Sequence, residues 1–139
     1  VSNFDVADMV ELAGVADGKS VQINQVLYNL RRRGIEYDLL PWCRQRGIPI
    51  MAYSPVEQGV LANDGRLAHV AERYGVSRSQ IALAWVLRRE GVIAIPKASQ
   101  LAHVRENRAA HDIRLIQADL DNLDRAFPPP TAKRPLEML

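Results

Sequence analysis

The feature that most restricts this chain is its alternation of short apolar stretches with helical periodicities, most transitions marked by glycine or proline. Val21–Leu27 is rich in β-branched residues and alternates, Ile48–Tyr53 is a nearly continuous apolar run, and Val92–Ile95 is another, stopped by Pro96. All three read as strands, the two continuous runs as buried ones. Val1–Phe4 reads as the end of a fourth. Between them lie predicted helices: Asp5–Ala13 with Asp5 as N-cap and Gly14 as stop, and Glu36–Gln45 ended by Gly47 with Pro41 near its first turn. Arg66–Tyr74 closes at Gly75, and Ser77–Glu90 opens with the capping pattern Ser77-x-x-Gln80. Leu101–Ala110 and Ala118–Phe127 complete the set, and Ser54–Gly65 reads as a turn-rich loop. Pro128-Pro129-Pro130 forbids further helix, so 128–139 is expected to be an irregular tail on a domain covering 1–139.

Short buried strands joined by helices are parallel βαβ units, with the helices covering the sheet. Two all-parallel solutions compete. A doubly wound nucleotide fold needs a glycine loop after its first strand, and the eight glycines here never form G-x-G. The other solution is the (β/α)8 barrel, which takes about 250 residues and eight strands. The 139 residues supply about half of each. The expected fold is therefore α/β, half of a TIM barrel.

Other classes drop out on simple grounds. One cysteine forms no internal disulfide and no cysteine metal site, which favours a reducing compartment and a cytoplasmic location. The longest apolar run, Ile81–Leu87, is far short of the roughly 20 residues that span a bilayer. A net charge of +2 is too mild to argue for nucleic acid. Residues 71–90 imitate a helix-turn-helix, but from Ile81 onward the second helix is nearly all apolar, as sheet packing requires, so neither nucleic acid nor membrane is expected as a partner. Arg31-Arg32-Arg33 reads as a solvated loop, Cys43 as a buried or half-buried thiol and not a nucleophile, and Trp42 and Trp85 as helix-to-sheet packing. The chain opens at Val1 without methionine, which leads to the expectation that it is a piece of a longer protein.

In parallel barrels the chemistry sits at the C-terminal ends of the strands. Here those positions are polar: Ser2-Asn3, Asn24-Gln25, Tyr53-Ser54, and Lys97 just after Pro96. Amides and hydroxyls suit a carboxamide or sugar, an aromatic face suits a planar ring, and an ammonium before a helix suits a phosphate. His69, His103 and His111 lie on helices or just beyond one, away from the strand ends.

Val-Ser-Asn-Phe, then Ile-Asn-Gln-Val with Tyr28-Asn29, then Ala-Tyr-Ser-Pro, then Ile-Pro-Lys-Ala with Glu106-Asn107, resembles the aldo-keto reductase family in order and spacing. The match runs from the end of that family's fifth strand to its C-terminus. The resemblance implies NADPH-dependent reduction of aldehydes or ketones by a tyrosine acid supported by lysine, aspartate and histidine. Those four lie on the family's other half, so no catalytic residue maps here, and this chain alone is expected to be inactive. The cofactor cradle does map. By resemblance, Ser2, Asn3 and Gln25 bond the nicotinamide carboxamide and Tyr53 stacks on its ring. Ser54, Val56 and Gly59 line the pyrophosphate, Lys97 meets the phosphates, and Glu106 and Asn107 meet the adenosine end. Two positions depart from the family. Ala98 replaces a hydroxyl residue, leaving Ser99 to supply that contact, and His103 stands where many members have arginine, giving up a fixed charge. NADPH is expected, with NADH not excluded.

A different class is also open: a non-catalytic nucleotide-binding or self-assembling half-barrel. Four parallel strands leave open edges that drive association with a missing N-terminal half or with another copy. Inward-facing apolar side chains left in water forfeit about 1.5–3 kcal/mol each. Against domain stabilities of about 5–15 kcal/mol, an unpaired half is expected to be marginal.

Overall fold

A computed structural model describes all residues, 1–139. Three short strands form one parallel sheet in the order β1 (Asn24–Leu27), β2 (Ile50–Tyr53), β3 (Val92–Ala94), with Asn24 opposite Ile50 and Ile50 opposite Val92. Six helices connect and cover them: α1 (Val6–Ala13), α2 (Leu39–Gln45), α3 (Ala68–Tyr74), α4 (Arg78–Leu87), α5 (Leu101–Ala109) and α6 (Gln117–Ala126). No helix is long and apolar enough to cross a membrane. Residues 128–139 form neither helix nor strand.

Proline and capping chemistry explain where the elements differ from the expected spans. β1 begins at Asn24 and β2 at Ile50, because Pro49 has no N–H to donate; its carbonyl still accepts from Asn24 N at 3.1 Å. The expected helix Glu36–Gln45 splits into a 3-10 turn, Gly34–Glu36, and α2, which Asp38 caps by accepting from Leu39 N at 2.7 Å. The later start puts Pro41 in the first turn, where a missing N–H costs nothing. Capping boxes hold α1 (Asp5 with Asp8) and α4 (Ser77 with Gln80). Val1–Phe4 is not a strand, but Ser2 bridges Gln25 in parallel. Gln25 N donates to Val1 O at 3.0 Å and Asn3 N donates to Gln25 O at 2.8 Å.

The core lies between the sheet and its helices, where Val26, Ile50, Ala52, Ile81 and Trp85 are all buried. The opposite face is open. Gln25, Met51 and Tyr53 are half-buried there, Ile93 is 47% exposed and Ile95 is 40% exposed. Cys43 is buried, and burial pushes its thiol up to about 11, so it stays protonated and inert at neutral pH. Trp85 packs as expected, whereas Trp42 is only half-buried, with the Arg46 guanidinium 3.9 Å above its ring.

The arginine run departs furthest from a solvated loop. Only Arg31 is exposed. Arg33 is 5% exposed, paired to Glu36 at 2.8 Å and Asp124 at 2.7 Å, donating to Phe127 O and lying 4.9 Å from the Trp85 ring centroid. Glu36 also accepts from the Tyr28 hydroxyl at 2.6 Å. Burial beside that carboxylate raises the Tyr28 phenol well above its ordinary range.

Candidate functional site

The polar residues at the strand ends converge in two groups. The first is built on β1. Ser2 Oγ donates to Gln25 O at 3.3 Å, and the backbone of 1–3 is laddered to Gln25, so Ser2, Asn3 and Gln25 form one cluster. Asn3 adopts φ +56°, a left-handed conformation that asparagine tolerates better than most residues. Its Oδ1 is buried and has no hydrogen-bond partner. A buried acceptor without a donor is unfavourable by about 1–3 kcal/mol, and a ligand amide would remove that penalty. Tyr53 ends β2, one strand across and two registers beyond Gln25, and is half-buried on the same open face.

The second group is the loop that follows Tyr53. Ser54 (φ +48°), Glu57 (+49°), Gln58 (+51°) and Gly59 (+90°) all adopt positive φ, and the three that are not glycine cost about 1–2 kcal/mol each. Buried Asn29 holds this bend. Its Nδ2 donates to Ser54 O at 2.9 Å and to Glu57 Oε2 at 2.6 Å, while its Oδ1 accepts from Arg31 N and Arg32 N. Arg32 Nε donates to Glu57 Oε1 at 2.8 Å and its Nη1 to Glu137 Oε1 at 2.9 Å. Those two carboxylates raise the Arg32 guanidinium above its ordinary value. Val56 is half-buried against the core.

The remaining residues lie past β3. Ile95 N donates to Ala52 O at 3.2 Å, carrying the strand's exit alongside Tyr53. Lys97 is exposed and enters no ion pair. Ser99 is also exposed. Gln100, the residue before α5, makes no side-chain cap, so the first amides of α5 are not satisfied by one. His103, Glu106 and Asn107 share a face of α5 by their i, i+3, i+4 spacing. The first two are exposed and Asn107 is half-buried. Gln80 Nε2 donates to Glu106 O at 3.2 Å and ties α5 to α4. No group of His, Cys, Asp or Glu side chains is arranged to hold a metal ion.

A sequence profile of the Aldo/keto reductase family matches residues 1–127. The chain belongs to the aldo/keto reductase family. It is 46% identical to methylglyoxal reductase YeaE of Escherichia coli, covering all of this chain and 51% of that protein. It is 36% identical to a glyoxal reductase of Bacillus subtilis, covering 89% of this chain and 44% of that one. A crystal structure of an aldo/keto reductase from Klebsiella pneumoniae, in complex with NADP and acetate, superposes with a TM-score of 0.97 at 48% identity, over all of this chain and 51% of that one. A second Klebsiella pneumoniae structure, in complex with NADPH, gives 0.94 at 47% identity. The chain thus spans about half the length of the relatives it matches, and its three-stranded parallel sheet is part of their barrel fold.

Sequence reasoning missed the clamp made by Asn29, Arg32, Glu57 and Glu137. The pair Tyr28-Asn29 stood out only as part of a motif. Nothing local links Asn29 to Glu57, 28 residues on, or Arg32 to Glu137, 105 residues on.

Proposed function

We propose that this chain is the C-terminal, cofactor-binding half of an NADPH-dependent aldo-keto reductase that reduces small aldehydes and ketones to alcohols. The order of the strand-end motifs supports the C-terminal placement, and the half-length match to the relatives supports a longer parent. The observation that carries the cofactor reading is the buried, unpartnered Oδ1 of Asn3 beside Gln25, with the Tyr53 ring on the next strand. A primary carboxamide on a flat ring would suit these groups: Asn3 Oδ1 would accept from its N–H, Ser2 and Gln25 would orient it, and Tyr53 would offer a face for the ring. The bound dinucleotide supplies the hydride. Lys97 and the α5 amides would hold phosphate charge, with Ser99 in reach of the same region, while His103, Glu106 and Asn107 would face the adenosine end. Ser54, Val56 and Gly59 would line the pyrophosphate. NADPH is favoured over NADH by Lys97, though a neutral His103 adds no fixed charge.

The acid–base residues are proposed to lie outside these 139 residues. The names of two relatives make 2-oxoaldehydes the first substrates to try. A reducing, cytoplasmic setting is proposed with this reading. The test is NADPH oxidation by the natural gene product carrying this chain, with methylglyoxal and simple aldehydes. Turnover that Tyr53→Ala and Asn3→Ala weaken through cofactor affinity supports the proposal. Absence of turnover with every carbonyl tested, from a folded product, removes it.

A second reading, a self-assembling half-barrel without catalysis, draws on the open sheet face, where Ile93 and Ile95 are exposed. A chain that stays folded and monomeric at micromolar concentration would count against it.

A further inference from the structure

We propose that Arg32 is a positioning residue that ties the C-terminal tail, through Glu137, to the bend at Ser54–Gly59 and so holds that bend in its cofactor-lining shape. This rests on the cofactor reading above. The bend carries four successive or near-successive positive-φ residues, which do not hold such a shape unaided. The Glu57 carboxylate is 7% exposed and has two donors, Asn29 Nδ2 and Arg32 Nε. Without Arg32 it is a buried charge with one neutral partner, and its escape to water would carry Glu57 out of the left-handed conformation. Arg32 serves two carboxylates at once because its Nε and Nη1 lie on different edges of one rigid fork. Its backbone is fixed in the same place: Arg32 N donates to both the carbonyl and the Oδ1 of Asn29. Glu137 follows Leu136, which packs on the core, so the tail end of the tie is itself anchored.

The two halves of the tie differ in weight. Losing Glu137 leaves the Glu57 pair intact but frees a guanidinium that is 37% exposed. Losing Arg32 removes both. A lysine at position 32 has one compact charge and serves one carboxylate, so Arg32→Lys should behave like Glu137→Gln rather than like the native protein.

The test uses the full gene product carrying this chain, with Arg32→Met, Arg32→Lys, Glu137→Gln and, as reference, Lys97→Met. Two readouts are taken: amide hydrogen exchange across 54–63 without cofactor, and affinity for NADPH and NADH separately. Arg32→Met should speed exchange in the bend and weaken both cofactors about tenfold, a charged hydrogen bond's worth, with their ratio unchanged because the pyrophosphate is common to both. Glu137→Gln and Arg32→Lys should weaken both by about threefold, the scale of a part-exposed ion pair. Lys97→Met should change the NADPH-to-NADH ratio. Native exchange rates in Arg32→Met overturn the tie. Faster exchange with both affinities unchanged overturns the positioning role. If Lys97→Met leaves the ratio unchanged, the cofactor reading loses its phosphate contact, and the exchange rates alone then decide the tie.

Discussion

Replacing Arg33 with methionine probes the least visible part of the fold. The native guanidinium is 4% exposed and donates to Glu36, Asp124 and Phe127 O. The Asp124 pair is part-exposed, with that carboxylate 44% accessible, and contributes less than about 1 kcal/mol. The Glu36 carboxylate is 9% accessible, and removing one partner of such a buried pair typically costs about 3–5 kcal/mol. Here the lower end applies, because Tyr28 still donates to Glu36 at 2.6 Å and Arg89 lies 3.7 Å away. Methionine keeps much of the contact with Trp85. The expected loss is about 3 kcal/mol, a large part of a domain's net stability of about 5–15 kcal/mol. Urea unfolding followed by Trp fluorescence measures it. In the double variant Arg33→Met, Glu36→Gln, the buried charge is gone while Tyr28 keeps an acceptor, so part of the loss should return. A loss below about 1 kcal/mol for Arg33→Met, the value for a solvated loop arginine, would refute this account of the network.

Gly18 is buried, and a Cβ there would sit 1.7 Å from Leu12 O, so Gly18→Ala should destabilise by about 2 kcal/mol or more, whereas Gly65→Ala, with nothing within 4 Å, should be near neutral in the same denaturation assay. Cys43 should resist thiol reagents at pH 8 in the native protein and react only as fast as the chain unfolds; rapid native labelling would contradict its burial. Asp64 is held below its ordinary 3.8 by hydrogen bonds from Arg66, so its contribution to stability is complete above that value and fades as pH falls through the lower folded one. Asp64→Asn should therefore flatten stability against pH below about 4 and change little of its slope near neutrality.

What could be read ahead of the structure was what local chemistry decides. The apolar runs around Ile50–Tyr53 and Val92–Ala94, the boxes at Asp5 and Ser77, and the stop at Gly75 all concern residues within a few positions of one another. Burial of Cys43 and Trp85 followed from the helices that carry them. The Arg33–Glu36 pair is local, but the burial of Arg33 was illegible because its other partners, Asp124 and Phe127, lie 91 and 94 residues away. The positive φ of Ser54 and Glu57 was hidden for the same reason: the bend is stabilised by Asn29 from another strand's exit, and serine and glutamate carry no local preference for it. The boundaries of β1 and α2 moved because Pro49 and Pro41 act through the specific N–H they lack. At the strand ends the residue types were legible, but the unpartnered Oδ1 of Asn3 was not, since it depends on the ladder between residues 1–3 and Gln25.

The most direct test of the central claim, that these residues form a dinucleotide cradle, is titration of the folded protein with NADPH and, in parallel, NADH, followed by quenching of Trp fluorescence and by cofactor emission. The account predicts saturable binding of both, tighter for NADPH, and weaker for either when Asn3 becomes alanine. A folded protein that binds neither cofactor, or binds both with an affinity indifferent to Asn3, would contradict it.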